Sequence, residues 1–116
     1  MAEIVRMYEI SPSSTNLVRA WQGHQFEKKW FYCSEGSFII NILKIDDFIN
    51  PSPLLVPEKI VLDSSKPSFL ELPGGYATGI KATAENSKLT VFSDYSLDES
   101  KNDDYRFSDN KWAFIN

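Results

Sequence analysis

Hydrophobic and polar residues alternate along this chain in short runs with a period of two. Clusters of Pro, Gly, Ser and Asn interrupt the runs, which is the pattern of β-strands separated by turns. Residues 3–10 form the first run, with Ile4, Tyr8 and Ile10 on one face. Residues 11–16 have no periodicity and read as a loop. Residues 17–25 read as a second strand. Residues 29–34 and 37–46 are the strongest pair, predicted as a hairpin turning at Ser34-Glu35-Gly36-Ser37, where Gly36 supplies positive φ. A loop with Pro51, Pro53 and Pro57 follows over residues 47–57. Residues 59–62 and 68–72 are further strands, and Pro73-Gly74-Gly75 is a tight turn. Residues 76–84 and 88–95 are predicted to pair across Glu85-Asn86. A helical turn fits near residues 96–101, and Trp112, Phe114 and Ile115 predict that the end of the chain docks on the body. No stretch has the pattern of a long amphipathic helix. The class is all-β, a sandwich or barrel.

The strand over residues 37–46 is apolar on both faces: Phe38, Ile40 and Ile42 on one, Ile39, Leu43 and Ile45 on the other. One face meets the opposite sheet, and the other needs a second cover. A second subunit is the economical candidate, so a homodimer is expected. With 116 residues the chain is expected to fold as one domain spanning 1–116. No apolar run approaches the ~18 residues of a membrane helix. Glu3, Arg6 and Glu9 near the N-terminus argue against a signal peptide. A single cysteine, Cys33, makes no internal disulfide, and a cytoplasmic location without membrane attachment is expected.

Charge and composition remove two further classes. One His and one Cys build neither a Cys/His zinc site nor a multi-histidine metal site unless carboxylates supply most ligands or two chains share one metal, and no metal is expected. No other cofactor is expected either. The net charge of −4 disfavours nucleic acid as a partner. That charge is local. Residues 94–109 hold six acids against Lys101 and Arg106, and the rest of the chain is neutral.

His24 is the one side chain whose ordinary pKa lies near neutrality, which suits a general base acting on a carbon acid. Alternation sets Gln22, His24 and Phe26 on one strand face and Arg19, Trp21 and Gly23 on the other. It sets Lys29 with Phe31 and Cys33, opposite Trp30 and Tyr32. An inward Lys29 runs its stem along apolar surface and brings an ammonium into the interior, where it can stabilise an enolate or a phosphate. Arg19 suits a phosphate fork. Trp21, Trp30 and Tyr76 are candidates to stack on a base or sugar, and Asp94-Tyr95 to line a mouth. For each of these residues a purely structural role is the commoner fate. Cys33 reads as an inert core thiol, and Glu27 has no identifiable partner.

Val18-Arg19-Ala20-Trp21-Gln22-Gly23-His24, Lys29 with Gly36, Pro73-Gly74-Gly75-Tyr76-Ala77-Thr78-Gly79 and Ser93-Asp94-Tyr95 follow one another in a familiar order. In that order and spacing, residues 17–107 resemble the cupin-type nucleotide-sugar enzymes, the dTDP-4-dehydrorhamnose 3,5-epimerases and the dTDP-sugar 3,4-ketoisomerases. The resemblance implies a double-stranded β-helix (cupin jelly roll), dimeric and metal-independent. It implies an isomerase acting on a nucleoside-diphosphate 4-keto-6-deoxy sugar in carbohydrate biosynthesis. His24 and Lys29 then stand as catalytic residues, and Arg19, Trp30, Tyr76 and Tyr95 as substrate-binding residues. The chain departs from the family patterns at four places. Arg19 and His24 stand two residues farther apart than the corresponding Arg and His of the epimerase motif. Thr78 stands where an epimerase has His, Phe26 where a ketoisomerase has its second His, and the epimerase's acidic Tyr falls near Val91 or Phe92. Tyr32, Tyr76 and Tyr95 are the replacement acids the sequence suggests. The alternative is a catalytically reduced cupin that binds a sugar or nucleotide without turnover.

Overall fold

In the computed structural model, residues 4–116 are described; Glu3, at the start of the first predicted run, lies outside them. Nine strands and one short helix follow in chain order: β1 Arg6–Ile10, β2 Val18–His24, β3 Lys29–Glu35, β4 Ser37–Lys44, β5 Glu58–Asp63, β6 Phe69–Leu72, β7 Tyr76–Ala82, β8 Lys88–Ser93, α1 Leu97–Lys101 and β9 Tyr105–Arg106. They make two antiparallel sheets, β1-β8-β3-β6 and β5-β4-β7-β2-β9, packed face to face. Every strand predicted from periodicity is present, within one to two residues at most ends. The helical turn is present too, with Ser96 and Glu99 exchanging side-chain bonds to each other's backbone N–H as a capping box. Among the described residues, no helix is long and apolar enough to cross a membrane.

Two predicted hairpins are corrected. β3 and β4 do not pair: β3 lies between β8 and β6, and β4 between β5 and β7. β7 and β8 likewise lie in opposite sheets. In both places the chain crosses from one sheet to the other, and the two crossings lock together. Gly36 has φ +70°, and a Cβ there would fall 2.1 Å from Ser87 Oγ. That hydroxyl donates to the Ala84 carbonyl at 2.7 Å and accepts from the Ser37 N–H at 3.1 Å. The turn chemistry was as expected; what the turn connects was not.

Between the sheets, Phe31, Phe38, Ile40, Leu62, Leu89 and Val91 form the main core. The outer face of the five-stranded sheet has a second core of Trp21, Leu43, Ile45, Ala77 and Trp112. Phe48, Leu55, Phe107 and Phe114 pack against it. The end of the chain therefore lies back over β4, β7 and β2. Asn41, buried in β4, clamps it by donating to the Ile115 carbonyl at 3.0 Å and accepting from the Ile115 N–H at 2.7 Å. Gly23 and Gly79 leave room for the aromatic rings of this cover, which stand 3.1–3.2 Å from where their Cβ atoms would be. The second apolar face of β4, from which a partner subunit was inferred, is covered by the chain itself. The docking of Trp112 and Phe114 was expected; that it fills this particular face was not.

Candidate active site

One end of the inter-sheet layer is polar, and a buried carboxylate organises it. Glu27 stands in the loop between β2 and β3 with its side chain wholly out of solvent. Its Oε1 accepts from Ser100 Oγ at 2.6 Å and lies 3.3 Å from His24 Nδ1. Its Oε2 accepts from Ser93 Oγ at 2.5 Å and from Arg6 Nη2 at 3.3 Å, with Lys29 Nζ at 4.0 Å. Burial of a charge is tolerated only with such compensation. The partners come from β1, β2, β3, β8 and α1, so one side chain ties five elements.

The loop itself is held by Asp103. Its Oδ1 accepts from the Gln25 N–H, and its Oδ2 from the N–H groups of Phe26 and Glu27, all at 2.8 Å. Asp94 Oδ1 accepts from the Lys28 N–H at 2.9 Å. Two members of the acidic segment thus act as fixed acceptors for loop backbone rather than as a solvated face. Gly74 presses on the same loop from β7's side: a Cβ there would lie 2.5 Å from the Gln25 carbonyl oxygen.

His24 is buried, and its Nδ1 lies 2.7 Å from the Asp103 carbonyl oxygen. A carbonyl only accepts, so the partner assigns the hydrogen to Nδ1 and leaves the Nε2 lone pair free in the neutral ring. Nε2 has no protein partner among the described residues. Burial, and then the neighbouring Lys29 ammonium, hold the His24 pKa below its ordinary value; Glu27 and the Asp103 carbonyl oppose them. The outcome is a neutral imidazole with an unoccupied basic nitrogen, beside a carboxylate able to stabilise its protonated form.

A crevice of about 10 Å³, enough for a water-sized group, is lined by His24, Glu27, Lys29, Leu72, Tyr76 and Thr78, among others. Beside it lies a cleft of about 470 Å³ whose walls include Tyr8, Arg19, Gln22, Lys29, Thr78 and Arg106. Lys29 and Thr78 belong to both walls. The Lys29 ammonium donates to Tyr8 Oη at 3.0 Å.

Of the residues singled out from sequence, the structure brings His24, Lys29 and Tyr76 together on the crevice, and Arg19 joins Lys29 on the cleft. Arg19 reaches the cleft because the pairing of β2 with β7 shifts register between Arg19 and Gln22, which breaks the simple alternation that set it opposite His24. Trp30 lies outside both hollows, on the other face of β3, with the Lys28 ammonium 5.1 Å from its ring centre. Tyr95 also lies outside, beyond the end of β8, where its carbonyl accepts from Arg6 Nη1 at 3.2 Å. Phe26 points to solvent. Sequence reasoning missed Glu27, Asp103, Tyr8 and Arg106. Tyr8 alone had a signal, since alternation put it on one face of the first run with Ile10, and both line the cleft; Ile4, set on the same face, is exposed ahead of β1. Thr78, noted only as a departure from a motif, faces the site.

Strand order β1-β8-β3-β6 against β5-β4-β7-β2 is that of a double-stranded β-helix: the domain is a cupin-type jelly roll with a polar cleft at one end of its sandwich. Solved structures share this fold. QdtA, a sugar 3,4-ketoisomerase from Thermoanaerobacterium thermosaccharolyticum solved in complex with TDP, matches with a TM-score of 0.72 at 23% identity, over 94% of this chain and 71% of that one. RmlC epimerase from Mycobacterium tuberculosis matches at 0.74 and 16% identity, over 91% of this chain and 52% of that one. A dTDP-4-dehydrorhamnose 3,5-epimerase from Bacillus anthracis, solved with TDP and PPi, matches at 0.75 and 15% identity, over 94% of this chain and 62% of that one. These are the enzyme types that the sequence motifs resemble. The chain spans less than two thirds of the length of either epimerase. No protein-family model and no curated protein sequence matches it.

Proposed function

We propose that this protein is an isomerase of a nucleoside-diphosphate 4-keto-6-deoxy sugar, an epimerase or ketoisomerase that moves a proton at a carbon next to the ketone. What supports the reading above all is the buried neutral imidazole of His24 with Nε2 unpartnered beside the Lys29 ammonium. A C–H beside a ketone is acidic because the anion left behind delocalises onto oxygen. His24 Nε2 takes that proton, and the electrons pass through the enolate to the carbonyl oxygen. Lys29 stabilises that oxygen, and Glu27 stabilises the imidazolium. The diphosphate lies toward Arg19 and Arg106 on the cleft wall, where paired guanidinium groups suit phosphate oxygens. Tyr76 packs against the sugar at the crevice. Trp30 and Tyr95 are not carried into this reading, because neither lines the cleft.

The crevice lined by His24 is narrower than a sugar, so a sugar that reaches His24 from the cleft has to displace side chains, Lys29 and Thr78 being the ones that line both hollows. That narrowness favours the second reading, a cupin that binds the nucleotide sugar in the cleft without turnover. Incubation with TDP-4-keto-6-deoxyglucose in D₂O, followed by proton NMR, separates the two. The first reading predicts deuterium at the carbon beside the ketone, lost in His24→Asn and kept in the surface control Lys59→Ala. Binding without exchange establishes the second reading, and exchange that survives in His24→Asn removes His24 as the base.

The proposal includes a cytoplasmic homodimer. With β4 covered from within, this reading assigns the partner to the outer face of the four-stranded sheet. Met7 and Phe69 are exposed there beside Trp30 and Tyr32, with Lys28 and Glu71 supplying both signs of charge to a self-complementary patch. Light scattering at micromolar concentration should give twice the chain mass, reduced to one chain by Phe69→Lys. A monomeric wild type would remove the dimer.

A further inference from the structure

Two acceptors compete for the N–H of the neutral His24 ring, and one residue holds both. The Asp103 carbonyl oxygen lies 2.7 Å from Nδ1, and Glu27 Oε1 lies 3.3 Å from the same atom. The nearer acceptor is neutral. The farther one is a carboxylate, which at equal distance would bind the ring hydrogen more strongly. Ser100, buried in α1, reaches each of them. Its hydroxyl donates to Glu27 Oε1 at 2.6 Å, and its carbonyl accepts from the Asp103 N–H at 3.0 Å. The helix that carries Ser100 is anchored: the Ser96 carbonyl accepts from the Ser100 N–H at 2.9 Å and from Arg6 Nη1 at 3.1 Å. Ser93 supplies an internal contrast. It is also buried, and its hydroxyl donates to the same carboxylate, but to Oε2, the oxygen that Arg6 and Lys29 approach.

We propose that Ser100 is a positioning residue for the base: its hydroxyl occupies Glu27 Oε1, so the ring hydrogen stays on the Asp103 carbonyl and the imidazole remains neutral where a full carboxylate–imidazole pair would already be charged. This rests on the isomerase reading, in which His24 is the base, and adds to it the group that sets the strength of that base. Without the hydroxyl, Oε1 loses its closest donor, and the ring N–H is the donor left to it. A carboxylate drawn onto the ring favours imidazolium, so the ring holds its proton to higher pH. The other charged groups around the ring come from several elements. Lys29 on β3 opposes its protonation, Asp103 and Asp104 after α1 favour it, and Arg6 on β1 shares Glu27. Tyr76 on β7 lines the same crevice, and Tyr8 accepts from Lys29. Ser100 is the neutral member of this set that acts on both acceptors of the ring.

His24 is the one histidine of the chain, so NMR of ¹⁵N-labelled protein reads its ring directly. Wild type should carry the neutral ring's hydrogen on Nδ1. Ser100→Ala should move the ring's titration midpoint to higher pH. The acid limb of the pH profile for deuterium exchange into TDP-4-keto-6-deoxyglucose should move with it. On that limb exchange should fall about 3–10-fold, part of the worth of a hydrogen bond to a charged group, with the plateau at high pH undiminished. Ser100→Thr, which keeps a hydroxyl, should restore both curves, and Ser93→Ala should displace the midpoint less than Ser100→Ala. Circular dichroism checks that each variant is folded. The proposal is overturned by a wild-type ring with its hydrogen on Nε2, by a midpoint in Ser100→Ala that stays or falls, by an equal displacement in Ser93→Ala, or by a lowered plateau with an unmoved limb. The first of these is read from wild type and needs no variant to fold. Absence of exchange in wild type removes the isomerase reading alone; the ring titrations still decide whether Ser100 sets the imidazole.

Discussion

The five-stranded sheet has two faces, and its β2 strand serves both. Trp21 and Gly23 face outward, into an aromatic seam with Phe48, Phe107 and Trp112. His24, at the end of the same strand, faces the cluster around Glu27. The outer seam is held by burial of area, with Trp21 and Trp112 edge to face at 5.7 Å between ring centres. The inner cluster is held by directed bonds to a carboxylate and has few ways to rearrange. Loss of one ring outside leaves neighbours that can resettle. Loss of the carboxylate inside takes the acceptor from two buried hydroxyls and the counter-charge from Arg6 and Lys29.

The sharpest way to break the comparison is to remove the centre of each face in turn. Glu27→Ala should cost about 3–5 kcal/mol in urea unfolding, the range for orphaning buried charged partners, and should abolish proton exchange. Trp112→Ala should cost about 3 kcal/mol, the low end for a buried Trp because the surrounding rings can resettle, and should leave exchange near wild type at a temperature where it is folded. Equal loss of exchange in both variants would mean the two faces are not separable. A smaller effect sharpens the inner side further. The His24 pKa is depressed in the folded state, so the unfolded chain binds the proton more readily. Stability from this group is complete above the ordinary value near 6.5 and declines as pH falls through 6.5 toward the lower folded value. His24→Asn should flatten that slope between wild-type unfolding curves taken at pH 7 and pH 5. An unchanged slope would place the ring in water.

Strands were legible because period-two alternation is local, and their ends were punctuated by Gly, Pro and Ser. Which sheet each strand joined was not legible. The turns at Gly36 and Asn86 have the same residue chemistry whether the chain folds back on itself or crosses the sandwich, and only packing against Ser87 distinguishes them. The site shows the same division. Alternation put Lys29 and Trp30 on opposite faces, and the structure turns Lys29 inward and leaves Trp30, expected to bind substrate, outside both hollows. Glu27 looked solitary because Ser93 and Ser100, its hydroxyl partners, are 66 and 73 residues away. Arg19 was set on the wrong face by a strict period of two, which the irregularity between Arg19 and Gln22 interrupts.

Asp103 has a consequence for how the molecule is made. The carbonyl that orients the imidazole lies 79 residues after it, and the carboxylate that ties down the loop comes from the same late residue. A ribosome releases β2 and β3 long before it releases their clasp. A nascent chain can therefore pair most of its strands while its imidazole is still unset, and chemical competence comes only once Asp103 has emerged.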